Sequence, residues 1–195
     1  DGSSAASDVY KRQYWNWLYK LGISKNLETD LFESTSGQLK SKDVFISQSI
    51  EPAVASFGKG FSISPLKLAQ LHAVLANGGG EVIPHVTLNF KDHQKINSQE
   101  EIFSEEVSKI VLEWMESVVD KGSGVGAKIE GYRIGGKTGT SQKAINGRYT
   151  SKKVCSFVAT FPINNPKYVV LVVIDEPSKG YAYGSTVAVP VVKEI

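Results

Sequence analysis

The hydrophobic period of this chain changes once along its length, and that change limits the possible fold more than any other feature. Up to about Gly122 the apolar residues recur at helical spacing, whereas strand-like runs occur at residues 132–140, 154–161 and 168–174. Helices that come first and strands that come last predict an α+β fold, with a largely antiparallel sheet flanked by helices. The 195 residues are enough for one ordinary globular domain.

Two helices are predicted in the first half of the chain. Residues 14–21 place their bulky side chains on one face, which is typical of a short amphipathic helix. A polar loop is expected to come next, through about Ser56. Ser64 and Pro65 have the residue types of a helix start, a side-chain cap followed by proline in the first turn, and they predict a largely buried helix over residues 66–76.

Two further helices are predicted, one before the strands and one after them. Residues 184–195 have the pattern of a helix that begins near the end of the chain, in which Pro190 is an awkward residue. The other helix is capped by Ser104 and ends near Gly122, and acidic residues in its first turn complement its dipole. Its buried stripe is expected to consist of Val107, Ile110, Val111, Trp114 and Val118.

Both ends of the chain are expected to be incomplete. Residues 1–13 are small and polar and differ abruptly from the aromatic-rich stretch after them, and residues 4–13 resemble adaptor sequence translated together with assembled transcripts. We therefore predict a non-native tail over residues 1–13. Residues 14–195 are then expected to form one domain that is truncated at both ends.

Charge, hydropathy and the rarer side chains argue against several kinds of function. The 22 basic and 20 acidic residues give a net charge of +2 without a long run of either sign, so nucleic acid is not an expected partner. The longest apolar stretch, residues 168–174, is far shorter than the ~20 residues that span a bilayer. Cys155 lies in an alternating strand pattern, which predicts a buried thiol. His72, His85 and His93 lack metal-ligand spacing and are expected to be structural or exposed.

The glycine-rich segment 131–140 carries the candidate chemistry, and it fits two different motifs. The first motif is the phosphate loop of nucleotide-binding proteins, G-x-x-x-x-G-K-[ST], which Gly131, Gly136, Lys137 and Thr138 satisfy. Asp175 and Glu176 follow an apolar strand, as the magnesium-holding acid does in nucleotide hydrolases. A P-loop nucleotide-binding protein is therefore one interpretation of the chain.

The phosphate-loop interpretation is weakened by the residues after the lysine. Phosphates bind to the free N–H groups at a helix N-terminus, so Lys137 and Thr138 would have to open a helix. Gly139 comes directly after them, and no apolar helical stripe appears before the polar turn at residues 146–147. The segment is better suited to a strand.

The second motif is Lys137-Thr138-Gly139-Thr140, the third sequence element of the penicillin-binding proteins and class A β-lactamases, which are serine acyl transferases. Several other segments, in the same order along the chain, extend the match over most of residues 14–195. Together they resemble the class B high-molecular-weight penicillin-binding proteins, the peptidoglycan D,D-transpeptidases of division and elongation. The segments are Phe57-Gly58-Lys59-Gly60, Asn77-Gly78-Gly79, Gly136 through Gln142, Ser156-Phe157-Val158, Ile174-Asp175-Glu176-Pro177 and Val187-Ala188-Val189-Pro190.

The resemblance implies a fold, a reaction and a role for each residue of the motif. The fold would be that of penicillin-binding transpeptidases and serine β-lactamases, and the reaction would join peptidoglycan stem peptides through a serine acyl-enzyme without metal or cofactor. Lys137 would place a positive charge near the reacting serine. The hydroxyls of Thr138 and Thr140 would hold the carboxylate of the peptide or of a β-lactam, and the Thr140 backbone N–H would stabilise the oxyanion. Gly139 would leave room for the substrate backbone.

The resemblance also implies a cellular setting. An enzyme of this family would be anchored by an N-terminal transmembrane helix and would act on the outer face of the cytoplasmic membrane. Its expected partners are stem peptides, β-lactams and the membrane proteins of division or elongation.

Two elements that the family needs are expected to lie upstream of Tyr14. They are a nucleophilic serine three residues before a lysine, and a Ser-x-Asn element. Ser64 with Lys67 fits the first spacing but is predicted to be a helix cap, and Ser24-Lys25-Asn26 fits the second but is predicted to be a turn. The piece is therefore expected to be inactive alone. A non-catalytic scaffold module with the same fold remains an alternative.

Overall fold

The computed structural model describes residues 2–31, 34–87, 100–145, 148–178 and 181–195. Within them, the chain divides into one compact unit of residues 2–68 and 83–87 and a second of residues 69–82 and 100–195. None of the described helices is both long and apolar enough to cross a bilayer. The helices are α1 Gly2–Lys20, α2 Lys42–Ser47, α3 Ile50–Ala55, α4 Pro65–Ala76, α5 Glu105–Lys121 and α6 Val189–Glu194, and the strands are β1 Gly135–Ile145, β2 Arg148–Phe161 and β3 Tyr168–Asp175.

The first helix is longer than predicted, because α1 begins at Gly2 and not at Tyr14. Residues 3–13 contain neither proline nor glycine, so nothing in them ends a helix. Lys11 forms an ion pair with Asp8 (3.5 Å) and donates to the carbonyl of Ile46 (3.3 Å). The proposal that residues 1–13 are a non-native tail concerns their origin and stays a prediction.

The polar loop predicted through Ser56 is wrong in part, because it contains two six-residue helices, α2 and α3. Helices this short are too brief to display an apolar period, which explains why the sequence pattern missed them. Phe45 and Ile46 of α2 are buried, and Phe45 joins Leu18 in the core of the first unit.

A three-stranded antiparallel sheet in the order β1-β2-β3 forms the centre of the second unit. This sheet and the helices confirm the predicted α+β class. Strand β2 is the middle strand, and Cys155, Phe157 and Ala159 on one of its faces are all fully buried. Burial raises the pKa of the Cys155 thiol, as predicted for a structural cysteine. The boundaries of β1 differ from the predicted 132–140, since its pairing with β2 begins at Gly135 and continues to Ile145.

The segment after β3 contains a π-helical turn, Gly184–Ala188, which continues into α6. Pro190 lies in the first turn of α6, where a backbone N–H has no helical partner to lose. The predicted helix is therefore confirmed and its proline is explained. Ala188, Val189 and Val192 are buried in the core that contains Phe157.

Helix α5 has the predicted cap but a different buried face. The N–H of Val107 donates to Ser104 Oγ (3.2 Å), and Gly122 ends the helix. The predicted stripe is wrong in part: Val107, Ile110 and Trp114 are exposed, whereas Val111 and Val118 are half-buried. Apolar residues occur on several sides of α5, so two stripes one residue apart both have helical spacing. The stripe that is buried in the fold is the second one, which consists of Ser108, Leu112, Met115 and Val119.

An ion-pair network joins the three strands near the end of β3. Lys143 on β1 donates to Asp175 Oδ2 (3.0 Å) and Glu176 Oε1 (2.8 Å), and Lys152 on β2 pairs with Glu176 Oε2 (2.8 Å). The two lysines hold the pKa of Glu176 down at about 2. The nucleotide interpretation assigned the carboxylates of Asp175 and Glu176 to magnesium. In the structure these carboxylates pair with lysines and stabilise the sheet.

The buried face of α5 can be tested by two substitutions. We expect Leu112→Ala to lower the free energy of unfolding by about 2–5 kcal/mol, because it leaves a cavity in the core. Trp114→Ala should lower it by less than about 1 kcal/mol, because the indole is mostly exposed. Urea denaturation of both variants measures the two changes. A larger loss of unfolding free energy for Trp114→Ala than for Leu112→Ala would instead support the stripe predicted from sequence.

Acid titration tests the network around Glu176. Its folded-state pKa of about 2 lies below the ordinary value of 4.5, so the network stabilises the fold fully above about pH 4.5 and loses this effect as the pH falls towards 2. Glu176→Gln should therefore lower the melting temperature at pH 6 and have much less effect near pH 2. Glu130→Gln, at an exposed position of the same unit, is the matched control. If Glu176→Gln lowered the melting temperature equally at both pH values, the ion-pair network would be contradicted.

Candidate active site

The motif Lys137-Thr138-Gly139-Thr140 lies in β1, which is an edge strand of the described sheet. Side chains alternate along a strand, so Lys137 and Gly139 point to one face and the two threonines point to the other. The Lys137 residue is exposed, whereas Thr138 is half-buried. The strand thus presents a cation on one face and two hydroxyls on the opposite face.

This geometry contradicts the phosphate-loop interpretation. Lys137 and Thr138 pair with Val158 and Phe157 of β2 in the middle of a strand, and they do not open a helix. The bundle of free N–H groups that binds phosphate at a helix N-terminus is therefore not formed after Gly131. The formal match of Gly131 through Thr138 to the nucleotide motif is a coincidence of sequence.

The backbone groups of Thr138 and Thr140 point to one side of β1. Lys137 Nζ donates to the carbonyl of Thr138 (2.8 Å), which places that carbonyl within reach of a side chain at the edge of the sheet. In an antiparallel strand, residues two apart direct their N–H and C=O groups to the same side. The N–H of Thr140 therefore points to the same side as the Thr138 carbonyl.

Ser123 is a site residue that the sequence did not reveal. Its Oγ lies 2.7 Å from Thr138 Oγ1, and it comes from the loop after α5. A serine between two glycines in a loop has no periodic signal, and only the tertiary fold brings it to β1. The contact creates a pair of hydroxyls on the threonine face.

Thr140 and Gly139 have close neighbours within the fold. The N–H of Gly184 donates to Thr140 Oγ1 (2.9 Å). A Cβ at Gly139 would lie 2.5 Å from Ser156 Oγ, so a larger residue at this position would force the serine hydroxyl to rotate away. Space beside Gly139 is therefore limited by Ser156 of β2, and the resemblance implies that the remaining room serves the substrate backbone.

The other sequence candidates have structural positions. Lys67 donates its N–H to Ser64 Oγ (3.2 Å), which confirms Ser64 as the cap of α4. Residues 24–26 lie in the turn that follows α1, as predicted. His72 lies half-buried in α4, and His85 Nδ1 is 3.2 Å from the carbonyl of Ile83.

His93 lies outside the described residues. Within the described ranges, no group of three or more His, Cys, Asp or Glu side chains is arranged to hold a metal ion.

The arrangement around β1 suits an extended, negatively charged, peptide-like ligand. An edge strand offers backbone groups to such a ligand, as in β-strand addition. Lys137 provides positive charge, Ser123 and Thr138 provide hydroxyls, and the Thr140 N–H can stabilise charge that develops on a carbonyl oxygen.

Comparison with known proteins agrees with this geometry. Residues 4–195 match the family described as the penicillin binding protein transpeptidase domain. The chain is 43% identical to a peptidoglycan D,D-transpeptidase FtsI homolog of Mesostigma viride, over 93% of the chain and 34% of that protein. It is 34% identical to the probable peptidoglycan D,D-transpeptidase PenA of Neisseria flavescens, over 100% of the chain and 48% of that protein.

Solved structures give the same result. The transpeptidase domain of Burkholderia pseudomallei penicillin-binding protein 3 superposes with a TM-score of 0.82 and 29% identity, over 94% of the chain and 55% of that structure. The chain spans a third to a half of the length of these two curated relatives. The match across nearly all of its residues places the chain in the penicillin-binding protein transpeptidase family.

Proposed function

We propose that this chain supplies one wall of the active site of a serine-type peptidoglycan D,D-transpeptidase, which cross-links the cell wall. The observation that carries the proposal is the position of Lys137 through Thr140 on an edge strand, with the Thr140 N–H on the same side as the Thr138 carbonyl. The names of the relatives support the same activity.

In the proposed reaction a serine hydroxyl adds to the carbonyl carbon of a stem-peptide bond. The serine proton passes to a base, the bond to the terminal amino acid breaks, and that amine leaves protonated. The amine of a second stem peptide then attacks the acyl-enzyme, which forms the cross-link and frees the serine. A β-lactam is attacked in the same way, and its ring-opened acyl group stays on the serine.

The residues of β1 assist this reaction by charge and by position. The Lys137 ammonium favours the approach of an anionic substrate and the charged arrangement around the serine. The Thr140 N–H is one of two donors to the oxyanion, and the loss of one such donor typically lowers the rate by about 10²–10³. Thr138, next to Ser123, provides the hydroxyl for the substrate carboxylate.

The nucleophile and the Ser-x-Asn element belong to a part of the domain that precedes Tyr14 in the full-length protein. The assignments of Ser64 as a cap and of residues 24–26 as a turn support this placement. The full-length enzyme is anchored by an N-terminal helix, acts on the outer face of the cytoplasmic membrane and works with membrane proteins of division or elongation.

Labelling with a fluorescent penicillin tests the proposed activity. The full-length protein should form a stoichiometric covalent adduct, whereas the 195-residue chain alone should form none. Mass spectrometry locates the modified serine. An adduct on Ser64 of the short chain would make Ser64 and Lys67 the nucleophile pair, and no adduct on either protein would favour a non-catalytic scaffold.

Replacement of Lys137 separates the transpeptidase from a nucleotide-binding protein. In the full-length protein, Lys137→Ala should slow penicillin acylation by roughly 10²-fold or more, because the cation beside the reacting groups is lost. Lys167→Ala removes an exposed cation elsewhere in the second unit and should leave the rate unchanged. Calorimetry with ATP tests the nucleotide alternative. The proposal would be refuted if the wild-type protein bound ATP with magnesium, and if Lys137→Ala lost this binding while its penicillin acylation stayed unchanged.

A further inference from the structure

Lys153 of β2 contacts the segment after β3 at two points. The N–H of Glu176, where the chain leaves the sheet, donates to the Lys153 carbonyl (2.9 Å). Further along the segment, the Lys153 ammonium donates to the carbonyl of Ala182 (3.2 Å) and lies 4.4 Å from the centre of the Tyr183 ring. We propose that Lys153 is a positioning residue, which holds this segment against the strand that carries the motif. The inference rests on the proposed function. We use the name Lys153 clasp for the two contacts of the ammonium.

The place of Lys153 in β2 explains why its ammonium turns to this segment. Side chains two residues apart share a face of a strand, so Lys153 lies on the same face as the buried Cys155 and Phe157. Lys153 itself is half-buried at the end of this row. A lysine in such a position packs its apolar stem against the protein and directs its charge to polar groups at the surface. The carbonyl and the aromatic ring of the clasp provide those groups, since an ammonium within about 6 Å of a ring centre is attracted to the ring face.

The other side chains of the segment hold it less firmly. Tyr181 is 89% exposed. An open cleft of about 240 Å³ is lined by Ser178 of the segment and Lys152 of β2. Ala182 is buried, but its side chain is a single methyl group, and a buried carbonyl without a partner would be costly. The clasp supplies that partner, so it ties the segment to β2 where packing alone is weak.

The clasp reaches the motif through Gly184, the residue that follows Tyr183. Gly184 is buried, and its N–H donates to Thr140 Oγ1 (2.9 Å). A Cβ at Gly184 would lie 2.7 Å from the carbonyl oxygen of Gly139 and 3.2 Å from its nitrogen. The backbone at Gly184 therefore packs directly against the backbone of the motif.

This contact links the clasp to the rate of the reaction. A displacement of about 1 Å in a reacting group can lower a rate by about 10²-fold. If the clasp is lost, Gly184 is free to move away from Gly139, and the backbone groups of the motif lose part of their support. Lys153 thus acts on the reaction without any contact with the substrate.

Acylation kinetics of the full-length protein test the clasp. Lys153→Met removes the ammonium and keeps a long apolar side chain, so we expect the rate constant at saturating penicillin to fall on the order of 10-fold. The rate is expressed per reactive molecule, counted from the final amount of adduct, so that unfolded protein does not contribute. Lys153→Arg keeps a cation with N–H donors and should restore most of the rate. Lys193→Met, at an exposed position of α6, is the matched control and should react like wild type.

A double-mutant cycle shows whether Lys153 acts through the Tyr183 ring. Tyr183→Leu removes the ring and should slow acylation, whereas Tyr183→Phe keeps the ring face and should react at close to the wild-type rate. Lys153→Met combined with Tyr183→Leu should be about as slow as the slower single variant, because both changes remove the same contact. An unchanged rate constant in Lys153→Met would overturn the inference. A double variant slowed by the product of the two single factors would overturn it as well.

Hydrogen exchange tests the clasp without using the reaction. The Gly184 amide should exchange slowly in the wild-type protein and roughly 10-fold faster in Lys153→Met, because the residues before it are released from β2. Lys153→Arg and Lys193→Met should leave this amide close to wild type. Equal exchange in the wild-type protein and Lys153→Met would refute the clasp. Failure of the wild-type protein to react with penicillin would instead refute the proposed function and leave the exchange result standing.

Discussion

The site depends on the pairing register of β1 with β2. Side chains alternate with a period of two residues, so a slip of one residue would exchange the two faces of the strand. Phe157 and Ala159 are fully buried on one face of β2 and hold that strand in place. The pairing of Thr138 with Phe157 then sends both threonines to that face and Lys137 to the other. The separation of cation and hydroxyls is thus a consequence of core packing.

The elements around the sheet fix β1 from two directions. On one side, Met115 of α5 lies against Gly135, at the point where β1 starts to pair. On the other side, the π-helical turn begins at Gly184, in contact with Gly139, and continues into Val189, which is buried with Phe157. Movement of either element would displace the strand. The residues that shape the site therefore extend well beyond the four-residue motif.

The sequence predicted those parts of the fold that are local and periodic. The caps Ser104 and Ser64, the three strand regions and the buried Cys155 all follow from side-chain type and spacing. The buried face of α5 did not follow, because its apolar residues leave two stripes open and only contact with the sheet selects one. Ser123 and Gly184 were missed for a related reason, since they reach β1 from other segments through the tertiary fold.

The two threonines of the motif have different hydrogen-bond partners, although they are the same residue type. They lie on the same face of the same strand, two residues apart, and a motif match treats them alike. Thr138 faces another hydroxyl, which leaves a proton to donate. Thr140 Oγ1 accepts the N–H of Gly184, and Thr140 lies opposite the buried Cys155 in the strand register. The hydrogen-bond partner of each hydroxyl therefore comes from the tertiary fold, and the motif alone does not reveal it.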